Sequence, residues 1–225
     1  MVQVFSWLAG LVALAGCASL PADEAAGTPG ARVAAQSLAS IRAHDATVGA
    51  GVAISDGVVL TNAHVVRQGG SRLTLRSADG LRKAPADIIS IVQRQDLALL
   101  RVRQGFLEPA PVASRRPQHG EAVWALGPEG LGRAVAMGPV TRSDATLPGF
   151  GRGFTARLGA LMGFSGGPVV NQGGEVVGLT TARIGTGGAG LLGSLTGIDL
   201  AGLANPMGRE VFVLRLPPGD YAGLR

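Results

Sequence analysis

Three polar residues, each in its own short motif, carry the chemistry that this sequence offers. Thr61–Val66 (TNAHVV) places His64 just after an apolar run, Asp96 begins the run DLALL, and Ser165 lies in the glycine-rich stretch GFSGGP. A serine hydroxyl is a weak nucleophile unless a nearby base takes its proton during attack. An imidazole can do so near neutral pH, and a carboxylate can hold the imidazole in the required tautomer. The three residue types together therefore predict nucleophilic catalysis by Ser165.

The glycines around Ser165 suggest a second chemical element. Without a Cβ, glycine lets neighbouring backbone N–H groups turn toward a single point. We expect the N–H groups of Gly163 and Ser165 to form an oxyanion hole that binds developing negative charge. Each motif alone is compatible with a purely structural role, and it is their joint occurrence that favours catalysis.

The elements that must position these residues read as short strands. Apolar runs of strand length are separated by Gly, Pro, Asp and Asn, and no stretch shows a sustained helical period. Two groups of about six strands predict an all-β fold, either two antiparallel barrels or one large sandwich. The expected strands are Val33–Ile41, Thr47–Ile54, Val58–Thr61, Arg72–Leu75, Ala86–Val92, Leu97–Val102, Ala122–Leu126, Ala134–Arg142, Gly153–Leu158, Pro168–Asn171, Glu175–Thr181 and Leu191–Ile198.

The three motifs resemble the active-site motifs of chymotrypsin-fold serine proteases, especially the HtrA/DegP branch. The resemblance covers roughly Gln36–Asp199 and implies two six-stranded antiparallel β-barrels with the active site in the cleft between them. It implies a serine endopeptidase that cuts exposed or unfolded polypeptides through an acyl-enzyme and needs no cofactor or metal. By this resemblance His64, Asp96 and Ser165 are the triad, and Gly163 and Ser165 supply the oxyanion hole.

Substrate-binding residues follow from the same resemblance. The stretch Gly178–Ala182 is similar to the strand that pairs with substrate backbone, which assigns Thr180, Thr181 and Ala182 to substrate binding. The specificity pocket should include Gly159 and Leu161. Because Gly159 stands where trypsin has an aspartate, the resemblance implies small or medium apolar side chains in the bound peptide.

The sequence departs from the family pattern in several places. Phe164 precedes the nucleophile, where Asn or Asp is usual, so a zymogen-type pairing with a cut N-terminus is not expected. The sequence ends about 26 residues after Asp199, so we expect no PDZ domain of the kind that HtrA proteins carry. The segment after Cys17 lacks the aromatic residues that HtrA trimers use near the N-terminus, which leaves the oligomeric state open.

The N-terminal segment indicates export. Residues 1–16 are apolar and uncharged, and Leu14–Cys17 (LAGC) resembles the bacterial lipobox, whose cysteine is lipidated. We expect a lipoprotein signal peptide at 1–16, a flexible tether anchored at Cys17 over 17–31, and the protease domain at 32–225. Within that domain the predicted barrels cover about 33–108 and 118–200, followed by a C-terminal extension at 201–225.

The predicted location is the bacterial cell envelope, where a lipid anchor would hold the protein in the outer membrane, facing the periplasm. An ordinary cleaved secretion signal is the alternative, because Lys and Arg are both missing before Cys17. With a single cysteine, neither a disulfide framework nor a cysteine-based zinc site is expected.

Composition and charge argue against nucleic-acid binding. The chain of 225 residues has a net charge of +5, but its basic residues are scattered, and no aromatic residue lies between Ala18 and Gly105. Nucleic-acid binding usually needs clustered basic residues with aromatics nearby, so it is not expected. Two alternatives to the protease remain: a catalytically latent protease fold that binds polypeptides as a chaperone-like module, and an esterase or transferase with the same triad.

Overall fold

The computed structural model describes residues 20–128, 134–158, 163–184 and 210–216, with backbone alone for 182–184. Three short helices lie among these residues: α1 (Pro21–Glu24), α2 (Ala31–Gln36) and α3 (Ala63–Gly69). Nearly all other regular structure is β-strand, as the sequence predicted. None of the helices in the described ranges is long and apolar enough to cross a membrane.

The first six strands close into an antiparallel barrel. Their order around the barrel is β1-β2-β3-β6-β5-β4, and pairing between β4 and β1 closes it. Their bounds are β1 (Leu38–Ala43), β2 (Ala46–Ser55), β3 (Val58–Asn62), β4 (Leu73–Ser77), β5 (Lys83–Val92) and β6 (Leu97–Arg101). The predicted Asp56–Gly57 turn joins β2 to β3, and its glycine has a φ of 76° that suits such a turn.

The remaining strands close a second barrel. They are arranged β10-β11-β12-β9-β8-β7, with β7 paired to β10. The bounds are β7 (Ala122–Leu126), β8 (Val135–Leu147), β9 (Gly151–Arg157), β10 (Pro168–Val170), β11 (Val176–Ile184) and β12 (Glu210–Leu214). The prediction of two six-stranded antiparallel barrels is thereby confirmed.

Apolar side chains form one cluster inside each barrel and a third where the barrels meet. Ile41, Leu75 and Leu100 are buried within the first barrel, and Phe154 and Phe164 within the second. The joining cluster takes residues from both barrels and from the N-terminal helices; it includes Ala25, Val33, Leu38, Leu60, Leu126, Val170, Leu179 and Phe212. Because strands alternate their side chains between two faces, the outer faces of both barrels can contribute to this joint.

The prediction of a flexible tether over residues 17–31 is wrong for the part that the structure describes. Pro21 and Ala25 are buried, and Gly30 packs so closely on Leu126 and Val170 that a Cβ there would lie 2.9 Å from a Leu126 methyl group. Small residues, which the composition had suggested for a tether, allow this close approach. Residues 17–19 lie outside the described ranges.

Two further boundaries also differ from expectation. The predicted strand Val33–Ile41 begins as helix α2, with β1 starting only at Leu38. The second barrel does not end at residue 200, since β12 inserts between β9 and β11. Residues 210–214 therefore belong to the second barrel itself and not to an extension beyond it. The expected strand Leu191–Ile198 falls outside the described residues.

Glu210, the first residue of β12, connects three strands of the second barrel. Its carboxylate oxygen accepts hydrogen bonds from the hydroxyls of Thr141 on β8 and Thr155 on β9, each at 2.7 Å. The two hydroxyls are also 2.7 Å apart. These bonds hold β12 in place at the end where it enters the barrel.

Candidate active site

Asp96 and His64 are brought together at one end of the first barrel. Asp96 follows a 3-10 turn (Gln93–Gln95) and has a left-handed backbone with a φ of 48°, a conformation that aspartate tolerates better than most residues. Its carboxylate Oδ2 lies 2.7 Å from Nδ1 of His64. The other oxygen, Oδ1, accepts the backbone N–H of His64 at 2.9 Å. The carboxylate thus fixes both the ring and the backbone of the histidine.

The backbone carbonyl of Asp96 accepts two further hydrogen bonds from the same short segment. They come from the N–H of Ala63 at 2.9 Å and from Nδ2 of Asn62 at 3.0 Å. Pairing of β3 with β6, which sets Asn62 opposite Leu97, creates this proximity. His64 lies in the first turn of α3, where backbone N–H groups have no partner within the helix, and its N–H donates instead to the carboxylate of Asp96.

The side chains of Asp96 and His64 differ in how far they are exposed to solvent. The Asp96 side chain is 3% exposed and that of His64 is 26% exposed. A buried carboxylate gives a strong and fixed interaction with the imidazole. The open side of the imidazole remains accessible to a reaction partner.

The turn that carries Ser165 packs directly against the first barrel. The carbonyl of Ser165 accepts the N–H of Ala50 on β2 at 2.8 Å. A Cβ built on Gly49 would lie 2.8 Å from the same carbonyl oxygen and 2.7 Å from a methyl group of Val65. Because Val65 follows His64 in α3, this contact sets the serine turn beside the histidine.

Gly166, which follows Ser165, also packs directly against the first barrel. It has a φ of 81°, and a Cβ there would lie 2.3 Å from both the carbonyl oxygen of Ala50 and the hydroxyl of Thr61. The N–H of Gly166 donates to the carbonyl of Thr180 at 2.8 Å. Only glycine can occupy this position without displacing one barrel from the other.

The backbone N–H groups of Gly163 and Ser165 donate no hydrogen bond to any residue in the described ranges. Gly163 has a φ of 92°, which turns its peptide in a way that other residues rarely allow. In the same part of the chain, the Ser165 hydroxyl makes no hydrogen bond to His64. Hydrogen bonds of this kind often tighten only when a substrate is bound.

Strand β11 runs beside the serine turn. Thr180 uses both of its backbone groups inside the fold, since its N–H donates to Gly167 and its carbonyl accepts from Gly166, each at 2.8 Å. This differs from the prediction that Thr180 pairs with substrate backbone. The ladder with β12 shifts register between Thr180 and Ala182, so the intervening Thr181 has no strand partner there.

Sequence reasoning missed the role of Asn62. This buried residue donates from Nδ2 to both the carbonyl of Asp96 and the hydroxyl of Thr181, each at 3.0 Å. It therefore joins the first barrel to β11 of the second, beside His64. Its place in the TNAHVV motif was visible, but the partner Thr181 lies 119 residues away, and spacing alone does not reveal such a contact.

Other predicted site residues fall outside what the structure describes. Gly159, Leu161 and Cys17 lie in ranges that are not described, and for Ala182 only the backbone position in β11 is given. No group of His, Cys, Asp and Glu side chains within the described ranges is arranged to hold a metal ion.

Comparison with known protein families finds a match for this chain. The family described as "Trypsin-like peptidase domain" matches residues 49–179, which include His64, Asp96 and Ser165. The serine endoprotease DegS of Haemophilus influenzae is 33% identical over 145 residues, covering 61% of this chain and 42% of DegS. The periplasmic pH-dependent serine endoprotease DegQ of Escherichia coli is 33% identical over 149 residues, covering 63% of this chain and 32% of DegQ.

Among solved structures, the crystal structure of the serine endoprotease from Yersinia pestis is similar, with a TM-score of 0.62 and 24% identity. The similarity covers 83% of this chain and 61% of that one. At this level of identity the comparison concerns the fold, which is the same two-barrel architecture. The chain spans less than half the length of DegS and DegQ.

Proposed function

Because this chain belongs to the trypsin-like peptidase family, we propose that it is a serine endopeptidase that hydrolyses peptide bonds in exposed or unfolded polypeptides. The observation that carries the proposal is the set of hydrogen bonds that Asp96 accepts from Asn62, Ala63 and His64, with the Ser165 turn packed beside these residues. The imidazole is held by Nδ1, which leaves Nε2 for a proton from a nucleophile. DegS and DegQ are both named serine endoproteases.

The proposed reaction follows the acyl-enzyme route. Ser165 Oγ attacks the carbonyl carbon of the scissile peptide while His64 takes its proton. The negative charge on the carbonyl oxygen is bound by the N–H groups of Gly163 and Ser165. His64 then gives the proton to the leaving amine, and water hydrolyses the acyl-enzyme by the same steps in reverse roles. Asp96 stabilises the imidazolium that forms in both halves.

Substrate would bind as an added strand along β11. Thr181 lies at the break in the β11–β12 ladder, and we propose that it and Ala182 present backbone groups to the substrate chain. Thr180 supports this edge from within the fold. The pocket residues Gly159 and Leu161 remain the proposed determinants of a small or medium apolar side chain.

We also propose that the protein works in the bacterial cell envelope, anchored by a lipid at Cys17 in the membrane. The lipobox-like sequence Leu14–Cys17 supports this location, and the relative DegQ is named as periplasmic. Metabolic labelling with a palmitate analogue tests the anchor, because Cys17→Ser should lose the label that the unaltered chain carries. A labelled Cys17→Ser protein would contradict the assignment of the anchor to this residue.

The central experiment is labelling of the purified protein with a fluorophosphonate, alongside His64→Ala and Ser165→Ala variants. We expect the wild type to label and to cleave an unfolded protein, and both variants to do neither. Ser165→Ala should lower kcat by about 10⁶, because removing the nucleophile leaves only binding and oxyanion stabilisation. Thermal unfolding of each variant checks that the loss is chemical.

Each other outcome selects a different function. A folded wild type that neither labels nor cleaves would favour the latent polypeptide-binding module. Labelling together with turnover of esters but not of peptides would favour the esterase or transferase. Substantial peptidase activity in pure Ser165→Ala protein would overturn the assignment of the nucleophile.

A further inference from the structure

The residue before the proposed nucleophile is buried, although it belongs to a turn at the mouth of the site. Phe164 is 2% exposed and its ring joins the apolar cluster inside the second barrel, together with Val123, Leu158 and Val169. Its two neighbours in sequence, Gly163 and Ser165, carry the proposed oxyanion N–H groups. The ring is therefore attached to the backbone at the centre of the oxyanion hole.

A glycine opposite Phe164 is required for this packing. A Cβ built on Gly127, just after β7, would lie 2.7 Å from Cδ2 and Cε2 of the Phe164 ring. The next residue, Pro128, approaches the other side of the turn: its Cγ would lie 3.5 Å from a Cβ on Gly163. Gly127 and Pro128, the two residues that follow β7, therefore pack against Phe164 and Gly163 of this turn.

Gly127 is in turn connected to the N-terminal segment by hydrogen bonds. The N–H of Gly127 donates to the carbonyl of Ala134 at 2.8 Å, which closes the end of the β7–β8 pair. The carboxylate of Glu24 in α1 accepts the N–H groups of Ala134 at 2.6 Å and Val135 at 3.1 Å. A carboxylate from the N-terminal segment therefore supports the oxyanion side of the site through backbone N–H groups.

From these contacts we propose that Phe164 is a positioning residue for catalysis, an apolar anchor that holds the oxyanion turn by packing its ring on Gly127. This inference rests on the proposed function, because it concerns the same oxyanion hole. Because the anchor is an aromatic ring packed in an apolar cluster, it holds the turn without a charged group.

A pair of matched phenylalanines tests the proposal. Phe154 is 1% exposed and belongs to the same apolar cluster, but it lies in β9. Phe164→Leu and Phe164→Ala are compared with Phe154→Leu and Phe154→Ala for thermal stability, for kcat and KM on a peptide substrate, and for the rate of fluorophosphonate labelling.

We expect both series to lose stability to a similar extent, since both remove the same volume from one core. Only the Phe164 series should lose kcat, by about 10²-fold for Phe164→Ala with KM nearly unchanged, the scale of losing one oxyanion donor. Phe164→Leu should retain more activity than Phe164→Ala because it keeps part of the packing. Equal kcat losses in the two series, or full activity in a folded Phe164→Ala, would overturn the proposal.

A second variant decides the matter if Phe164→Ala does not fold. Gly127→Ala places a methyl group against the ring and should lower kcat, whereas Gly173→Ala, whose Cβ would meet no atom closer than 3.3 Å, should not. In the double variant with Phe164→Leu, the smaller side chain should relieve the clash, so the two effects should not add. Strictly additive effects would overturn the anchor.

The wild type separates the two levels of proposal. A folded wild type with neither turnover nor labelling overturns the proposed function and this inference with it. An active wild type whose Phe164 and Phe154 series behave alike overturns the inference alone.

Discussion

The two halves of the site are held in place by different physics. In the first barrel, His64 and Asp96 are positioned by hydrogen bonds between polar groups, with four acceptor contacts of Asp96 filled by three successive residues. In the second barrel, Ser165 is positioned by glycines that permit close approach and by the buried ring of Phe164. The proposed base is thus held mainly by hydrogen bonds to Asp96, whereas the proposed nucleophile is held by close packing in addition to backbone hydrogen bonds such as that from Ala50 to Ser165.

The difference predicts different responses to mutation. Hydrogen bonds are directional and local, so a change in the first half should alter chemistry with little change in the surrounding fold. Close packing transmits displacement, so a change in the second half should move the turn and cost stability as well. Four variants, two of them with a second variant for comparison, test this contrast and are ordered from the largest expected effect to the smallest.

Asp96→Asn tests the polar half most directly. An amide can still hold the backbone N–H of His64, but its NH₂ group favours the wrong tautomer of the ring, and we expect kcat to fall by about 10⁴. The measurement is steady-state cleavage of a peptide substrate, with urea unfolding as the check on the fold. Loss of stability in proportion to loss of rate would show that Asp96 acts mainly on the fold, contrary to this expectation.

Gly166→Ala tests the packed half. The methyl group would meet Ala50 and Thr61 at 2.3 Å in a backbone with a φ of 81°, and we expect a loss of about 3 kcal/mol in the free energy of unfolding together with most activity. Urea unfolding measures the stability.

Gly105→Ala is the matched control, because Gly105 also has a positive φ, at 69°, yet nothing lies within 4 Å of its Cβ position. It carries the backbone penalty alone, about 1–2 kcal/mol. Equal destabilisation by the two variants would mean that the contact between the barrels at Gly166 contributes nothing.

Asn62→Ala tests the direct bond between the halves. It removes the donor to Asp96 and to Thr181, and we expect a loss of about 1–3 kcal/mol in stability with a moderate loss of kcat. Thr181→Val removes the second of these bonds together with the hydrogen bond that the Thr181 hydroxyl donates to the carbonyl of Leu179 at 3.1 Å, and should lie between wild type and Asn62→Ala. A Thr181→Val variant that loses more stability and activity than Asn62→Ala would contradict this order.

The same contrast explains what the sequence could predict. His64, Asp96 and the Ser165 turn could be singled out as candidate site residues because each is a polar residue within a short local motif, and the structure places His64 beside Asp96. The strands were found because their apolar runs are local. Three contacts could not be predicted, because each joins residues that are distant in sequence and depends on burial and shape. They are the hydrogen bond between Asn62 and Thr181, the hydrogen bonds of Glu24 to the start of β8, and the packing of Phe164 on Gly127. The sequence of residues 20–31 suggests a tether because small residues such as Ala and Gly occur both in solvated linkers and in segments that pack closely on a core.

Thr155→Val probes the second barrel away from the site and should have the smallest effect. Hydrogen bonds from Thr155 and Thr141 lower the pKa of Glu210 below its ordinary value of 4.5, because they stabilise the ionised carboxylate. A lowered pKa in the folded state contributes stability above pH 4.5 that is lost as the pH falls through the folded value. We therefore expect Thr155→Val to cost about 1 kcal/mol at pH 7, and less at acid pH, where Glu210 is protonated in both proteins. Urea unfolding across this pH range measures the difference in stability between Thr155→Val and the wild type. A stability difference that does not change with pH would mean that Thr155 acts by packing and not through the carboxylate of Glu210. This end of the second barrel would then be held by packing, as the Ser165 turn largely is.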